Sequence, residues 1–295
     1  MKCAYPQERK ETRKGTVFKE YYPCGQCLPC RITYRQVWTF RLLLEARVHR
    51  FNYFVTLTYN DDHYPDDGCV SRDELSRYVK RLRYFCDPFE LRYFGVGEYG
   101  SKTCRAHYHL VVFSDSEIPV TRKGREVNSA FHRAWLLDGS PRGFVYVVPF
   151  FGTKDATRIT RYIAGYVVKK MTSEKSVLRQ TGTSVTPEFS LCSRRPGIGL
   201  NSINIDMLSS RLRSLNVDVE AAYKGMLRYN GKLWPVGRVL GERLKDGLEI
   251  EPVPLGAREI LHRVRWLHRE DYEAREAESM YRAEAMMKGM RGRPL

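Results

Sequence analysis

The stretch His107-Tyr108-His109 runs without a break into Leu110-Val111-Val112-Phe113. β-Branched and aromatic residues in such a run specify a strand. Strand side chains alternate between faces, so His107 and His109 share one face and Tyr108 takes the other. Two imidazoles are thereby fixed side by side on a sheet, and the fold must supply strands on both sides to hold them.

The surrounding pattern supplies those strands. Tyr53 to Tyr59 and Leu91 to Gly97 read as strands, as does Gly143 to Phe150. Ser71-Arg72-Asp73-Glu74 is a capping-box signature that opens a helix with Leu75, Tyr78, Val79, Leu82 and Phe85 on one stripe. Asn128 to Leu137 and Asp155 to Met171 read as two further helices. The order β-α-β-β-α-β-α predicts an α+β fold: a ferredoxin-like or RRM-like antiparallel sheet with helices on one face and the other face free for a ligand. The domain divisions follow. Residues 1–50 form a basic, cysteine-rich arm with a helix from Ile32 to Arg50, and 51–171 the core. Residues 172–255 form an accessory region with a basic turn at Ser193 to Gly199, a helix over Met207 to Leu215 and a hairpin at Asn230-Gly231. Residues 256–295 form a charged C-terminal helix.

Fifty Lys and Arg against 34 Asp and Glu give a net charge of +16 over 295 residues, which favours a polyanionic partner. Nineteen tyrosines add stacking surfaces suited to single-stranded nucleic acid. No segment has the length and apolarity of a membrane span or the apolar stretch of a secretory signal, so the expected setting is a reducing cytoplasm and no membrane partner. Gly100-Ser101-Lys102-Thr103 lacks the P-loop spacing, and no nucleotide cofactor is expected.

Glu98, at the end of the strand before the histidines, can reach the same patch if the two strands pair. Two imidazoles and a carboxylate suit Mg²⁺ or Mn²⁺ acting on a phosphodiester, and could equally hold Zn²⁺. Tyr162 and Tyr166 lie four residues apart on one helical face, and Lys169 shares it. An ammonium there favours phenolate, so the tyrosines are candidate nucleophiles; half-buried packing residues would show the same spacing. Cys24, Cys27 and Cys30 at two-residue gaps, with Cys3 upstream, form a candidate structural Zn²⁺ site, reduced thiols being the alternative. Thr56 and Thr58 alternate onto one face, and with Arg194 and Arg195 they are candidate DNA contacts.

With these motifs in the order His-x-His, then Tyr-x-x-x-Tyr-x-x-Lys, the chain resembles HUH endonucleases. Within them it is most similar to replication initiators of small single-stranded DNA bacteriophages of the gokushovirus (Microviridae) type. Pro23 to Cys27 with Trp38 to Leu42, Phe54 to Tyr59, Gly97 to His109, and Ser193 to Gly199 carry the likeness. The resemblance implies rolling-circle replication: a nick at the viral origin, a 5′-phosphotyrosyl link to Tyr166 or Tyr162, a free 3′-hydroxyl and later rejoining. It implies a divalent metal on His107, His109 and Glu98, Lys169 in support, Tyr166 if only one tyrosine acts, and a host helicase and polymerase as partners in the bacterial cytoplasm. Two rivals stay open: a metal-dependent phosphodiesterase that uses water, and a non-catalytic RRM-like or zinc-knuckle nucleic-acid binder.

Overall fold

A computed structural model of the chain describes residues 3–13, 16–100, 103–120, 129–169, 186–214 and 226–248. The expected loop from Thr172 onward lies outside the described residues up to 185, and the C-terminal helix over 256–295 lies wholly outside them.

The N-terminal arm is a β-hairpin, β1 (Gln7–Arg13) with β2 (Thr16–Tyr22), leading into α1 (Leu28–Val48). Then come β3 (Phe51–Thr58), α2 (Arg72–Cys86), β4 (Leu91–Tyr99) and β5 (Ala106–Ser114). A short α3 (Ala130–Arg133) and a miniature hairpin, β6 (Leu136–Leu137) with β7 (Ser140–Pro141), precede β8 (Val145–Phe150) and α4 (Gly152–Lys169). The described chain continues through β9 (Phe189–Cys192) and α5 (Ser202–Ser214) to β10 (Met226–Tyr229), β11 (Lys232–Pro235) and α6 (Gly237–Leu248). The β10–β11 turn is Asn230-Gly231, both residues at positive φ, as the hairpin signal requires.

The main sheet is antiparallel in the order β8-β3-β5-β4-β9, so the strand carrying the histidines is central. Its two faces hold separate cores. Tyr53, Val55, Leu57, Tyr108, Leu110 and Val112 pack against α2, α3 and Trp135. On the opposite face, Phe54, Phe94, Val96, Val111 and Phe113 pack against α1 and α4. Helices therefore cover both faces, where the sequence pattern led to the expectation of one. The physical reason lies in Leu110 to Phe113: four consecutive apolar residues put bulk on both sides of the strand, and all four are buried.

Two other expectations change. The predicted helix over Asn128 to Leu137 shrinks to α3, because Trp135 turns inward to donate from Nε1 to Thr58 O at 2.9 Å and the chain then folds into β6–β7. The capping box of α2 closes on one side only. Ser71 Oγ accepts from Glu74 N, but the Glu74 carboxylate pairs with Arg142 and accepts from the Tyr59 hydroxyl. The Ser71 N–H donates instead to Tyr108 Oη at 2.9 Å, tying α2 to the strand that bears the histidines.

Helix α1 carries a buried charge. Glu45 accepts bonds from Arg92, His49 and the Gly199 N–H, and Arg41 Nε donates to Ile198 O at 2.9 Å. Burial pushes the Glu45 carboxyl up, but these donors outweigh it and hold it below the usual carboxylate range. The turn Ser193 to Gly199 is thereby clamped to α1 and β4.

Candidate active site

Register places the ligand candidates together. Glu98 on β4 pairs directly with His107 on β5, and Thr56 on β3 pairs with His109. Glu98 Oε1 lies 2.7 Å from His107 Nε2 and 3.2 Å from His109 Nε2. One donor atom from each of the three lies within 4.8 Å of the others. Glu98 and His109 are buried and His107 is partly exposed, so the group opens to solvent on one side.

Each imidazole is oriented from behind. His107 Nδ1 lies 3.0 Å from Arg105 O; a carbonyl only accepts, so Nδ1 carries the proton and Nε2 of the neutral ring offers a lone pair. His109 Nδ1 lies 2.9 Å from Thr56 Oγ1. Such partners fix ring and tautomer in metal sites. Two imidazoles and one carboxylate, with Nε2 atoms and a carboxylate oxygen converging, fit a divalent cation of the Mg²⁺, Mn²⁺ or Zn²⁺ kind. Tyr108, between the histidines, is fully buried on the opposite face, where its hydroxyl lies 2.9 Å from that of Tyr59.

Helix α4 brings both tyrosines onto this group. Tyr166 stacks on His109, with ring centroids 5.1 Å apart and planes 20° apart. Tyr162 meets Tyr166 edge-on at 5.0 Å and His109 at 5.8 Å. Phe54 completes the packing around His109 and Tyr162. Tyr166 is 8% exposed and Tyr162 is half-buried. Burial, then the Glu98 charge and the Tyr162 hydroxyl, push the Tyr166 phenol far above its ordinary value, so Tyr166 rests as a neutral phenol. Lys169 is the last residue of α4, and its side chain lies outside the described residues.

The remaining candidates divide. Thr56 sits in the site, but its hydroxyl faces His109. Thr58 stands beside His107, with its hydroxyl donating to Phe144 O and accepting from Phe144 N–H. Arg194 and Arg195 are exposed on the clamped turn. That turn adjoins Tyr93, five residues from Glu98 along β4, which is about 17 Å at strand rise. The structure thus does not bring the two arginines to the histidine group. The role of Thr56 in orienting His109 was missed in the sequence, and only the β3–β5 register reveals it.

A second cluster lies at the start of α1. One sulfur from each of Cys3, Cys24, Cys27 and Cys30 lies within 4.8 Å of the others. Cys3 Sγ and Cys27 Sγ are 3.8 Å apart. A tetrahedron with metal–sulfur bonds of about 2.3 Å has edges of about 3.8 Å, so this spacing fits a thiolate-bound metal. Backbone N–H groups of Ala4, Cys24 and Cys27 donate to the sulfurs of Cys27, Cys3 and Cys24. Burial raises the Cys24 thiol, but the N–H groups of Cys27 and Gln26 outweigh it and bring it down to about 7.

Residues 52–172 match the replication-associated protein ORF2 family. That segment begins in β3 and includes Thr56, Glu98, both histidines, both tyrosines and Lys169; the cysteine cluster falls outside it. Replication-associated protein ORF2 of Spiroplasma virus 4 is 26% identical over 202 residues, covering 65% of this chain and 60% of the relative. Replication-associated protein VP4 of Bdellovibrio phage phiMH2K is 33% identical over 100 residues, 32% of this chain and 31% of the relative. Replication-associated protein ORF4 of Chlamydia phage 1 is 34% identical over 94 residues, 31% of this chain and 23% of the relative. The chain thus matches 60% or less of the length of each. The likeness to phage replication proteins read from the motifs agrees with these matches. No solved structure matches the chain. Among the described residues, no helix is long and apolar enough to cross a membrane.

Proposed function

We propose that this chain is a rolling-circle replication initiator that nicks single-stranded origin DNA through a tyrosine and rejoins it. The observation that carries the reading is the contact between the Glu98–His107–His109 group and the Tyr162–Tyr166 pair. The order β8-β3-β5-β4, with β5 inserted between the strands of a split β-α-β unit, supports the ferredoxin-like HUH assignment.

In this reading Glu98, His107 and His109 hold a divalent cation, Mg²⁺ or Mn²⁺, which supplies Lewis acidity at a phosphate oxygen. Thr56 and the Arg105 carbonyl keep the two imidazoles in the ligating orientation. The Tyr166 phenol oxygen attacks phosphorus, the bond to the 3′-oxygen breaks, and the strand divides into a 5′-phosphotyrosyl end and a free 3′-hydroxyl. The phenol proton leaves as the new bond forms, with the Tyr162 hydroxyl and Glu98 carboxylate within hydrogen-bonding reach of Tyr166. Tyr162, one turn away, can attack in a second round, and Lys169 supports the phosphate charge. Reversal of the attack by a 3′-hydroxyl rejoins the strand. The cysteine cluster holds structural Zn²⁺. The setting is the cytoplasm of a bacterial host, whose helicase and polymerase act after the nick.

Labelled circular single-stranded phage DNA, incubated with the protein with and without Mn²⁺ and run on a denaturing protein gel, tests this reading. The expected result is a metal-dependent labelled band at the protein's mass, lost in Tyr162→Phe/Tyr166→Phe. Cleaved DNA without labelled protein would make water the nucleophile. No cleavage of DNA containing the origin would leave a binding protein.

A further inference from the structure

The sheet face that bears the histidines is not covered to its edge. Tyr146 on β8 is the register partner of Thr56, which is in turn the partner of His109. Phe144 continues that ladder beside Thr58, exchanging backbone and hydroxyl bonds with it. Alternation places Tyr146 and Phe144 on the His109 face, since Val148 and Phe150 on the same parity pack in the α1–α4 core. Both rings are nevertheless open to water: Phe144 is 80% exposed and Tyr146 62%. Two large rings two residues apart, standing on a rigid sheet and out of the core, are unusual for residues that dominate apolar packing. They lie two strands from β5, about 10 Å from the histidines.

We propose that Phe144 and Tyr146 are a stacking platform for nucleobases of the single strand flanking the scissile phosphate. The proposal rests on the nickase reading for the position of that phosphate. The strand leaves the wall formed by Tyr162 and Tyr166 on α4, crosses β3 over Thr56 and Thr58, and lays successive bases on Tyr146 and Phe144. Aromatic faces bind any base, so the platform contributes affinity and position, with little sequence preference. Cations stand on the opposite wall. Lys154, Arg158 and Arg161 are exposed on α4, and Arg158 precedes Tyr162 by one turn. Rings on the sheet and positive charge on the helix match the base and phosphate sides of a single strand. A protein segment adding to the β8 edge would use its backbone groups and would not need both rings on the histidine face.

Oligo-dT carrying 5-iododeoxyuridine, photocrosslinked to the full chain and mapped by mass spectrometry, is the direct probe, because it needs no origin sequence. Crosslinks at Phe144 and Tyr146 are expected. Phe144→Ala/Tyr146→Ala is expected to weaken oligo-dT binding at least roughly fivefold, since loss of one stacked ring lowers affinity about 5- to 150-fold. The double variant should raise KM for formation of the protein–DNA adduct and leave its rate at saturating DNA within about threefold. Phe144→Trp/Tyr146→Trp should restore binding. Both side chains are largely exposed, so an unchanged Tm is expected and separates lost stacking from lost folding. Crosslinks confined to other residues, or oligo-dT affinity unchanged in the alanine variant, would overturn the platform. If the wild type forms no adduct, the nickase reading fails, while crosslinking still decides the platform.

Discussion

The arrangement around His109 makes the behaviour of single side chains predictable. Thr56 touches His109 Nδ1 at 2.9 Å, so its work is orientation. Thr56→Val keeps the shape and removes the hydroxyl. We expect it to raise the Mn²⁺ concentration needed for cleavage by about 10- to 100-fold, the usual effect of losing a partner behind a ligating histidine. Metal-free DNA affinity, read by fluorescence anisotropy, should not change, and Thr56→Ser should recover most of the effect. The opposite pattern, weak DNA binding with normal Mn²⁺ dependence, would make Thr56 the DNA contact first read from the sequence. The two tyrosines should also separate. Tyr166 stacks on His109 and adjoins Glu98, so Tyr166→Phe should abolish the first adduct, while Tyr162→Phe should leave it largely intact on a linear oligonucleotide containing the origin. At this scale the sequence was informative wherever period-two or period-3.6 alternation decides the outcome. His107 and His109 share a face, Tyr108 opposes them, and Tyr162 and Tyr166 share a stripe. The partnership of Thr56 with His109 spans 53 residues and depends on strand register, which no local pattern encodes.

Among elements, β8 is held to β3 at a very close approach. A Cβ at Gly143 would stand 2.1 Å from Thr58 O, which is backbone and cannot swing aside. Gly143→Ala should therefore part the two strands where Thr58 and Phe144 exchange bonds, costing about 3 kcal/mol in a denaturant titration. Gly97→Ala meets a ring atom of Phe189 at 2.8 Å, and a shift of that side chain can relieve part of the clash. Its cost should be smaller, about 1 kcal/mol; equal costs would show that the Phe189 side of the core is as unyielding as backbone. Neither close approach could be read from a lone glycine in the sequence. The strands themselves were legible because β-branched and aromatic runs mark them. The coverage of both faces was not inferred, although the run Leu110 to Phe113 implied it. The ten-residue helix failed because Trp135, apolar and correctly spaced for that helix, is held by a hydrogen bond to Thr58 O on a distant strand.

Across the whole molecule, the cysteine cluster and the histidine group should respond to metals in opposite ways. Cys3 lies before the β1–β2 hairpin, and Cys24, Cys27 and Cys30 lie after it, at the start of α1. A metal on the four sulfurs therefore closes the base of the arm and fixes its exit from α1. Helix α1 in turn packs with α4, which carries the tyrosines. Thiolates favour Zn²⁺, whereas the carboxylate and imidazoles on the sheet are open to harder ions. We expect native mass spectrometry to find one tightly held Zn²⁺ per chain. Brief treatment with EDTA should stop cleavage reversibly, with Mn²⁺ restoring it and Tm little changed. Prolonged treatment with a strong zinc chelator, or Cys27→Ser/Cys30→Ser, should lower Tm by several degrees, and Mn²⁺ should not reverse that loss. The pH dependence has a definite sign: sulfurs must be deprotonated to bind, so acidification releases the zinc and lowers Tm, while alkaline conditions retain it. A chain that holds no Zn²⁺ and keeps its Tm in the serine variant would show four packed thiols and no structural metal. The arm would then owe its position to α1 packing alone, and cleavage would depend on a single class of metal site.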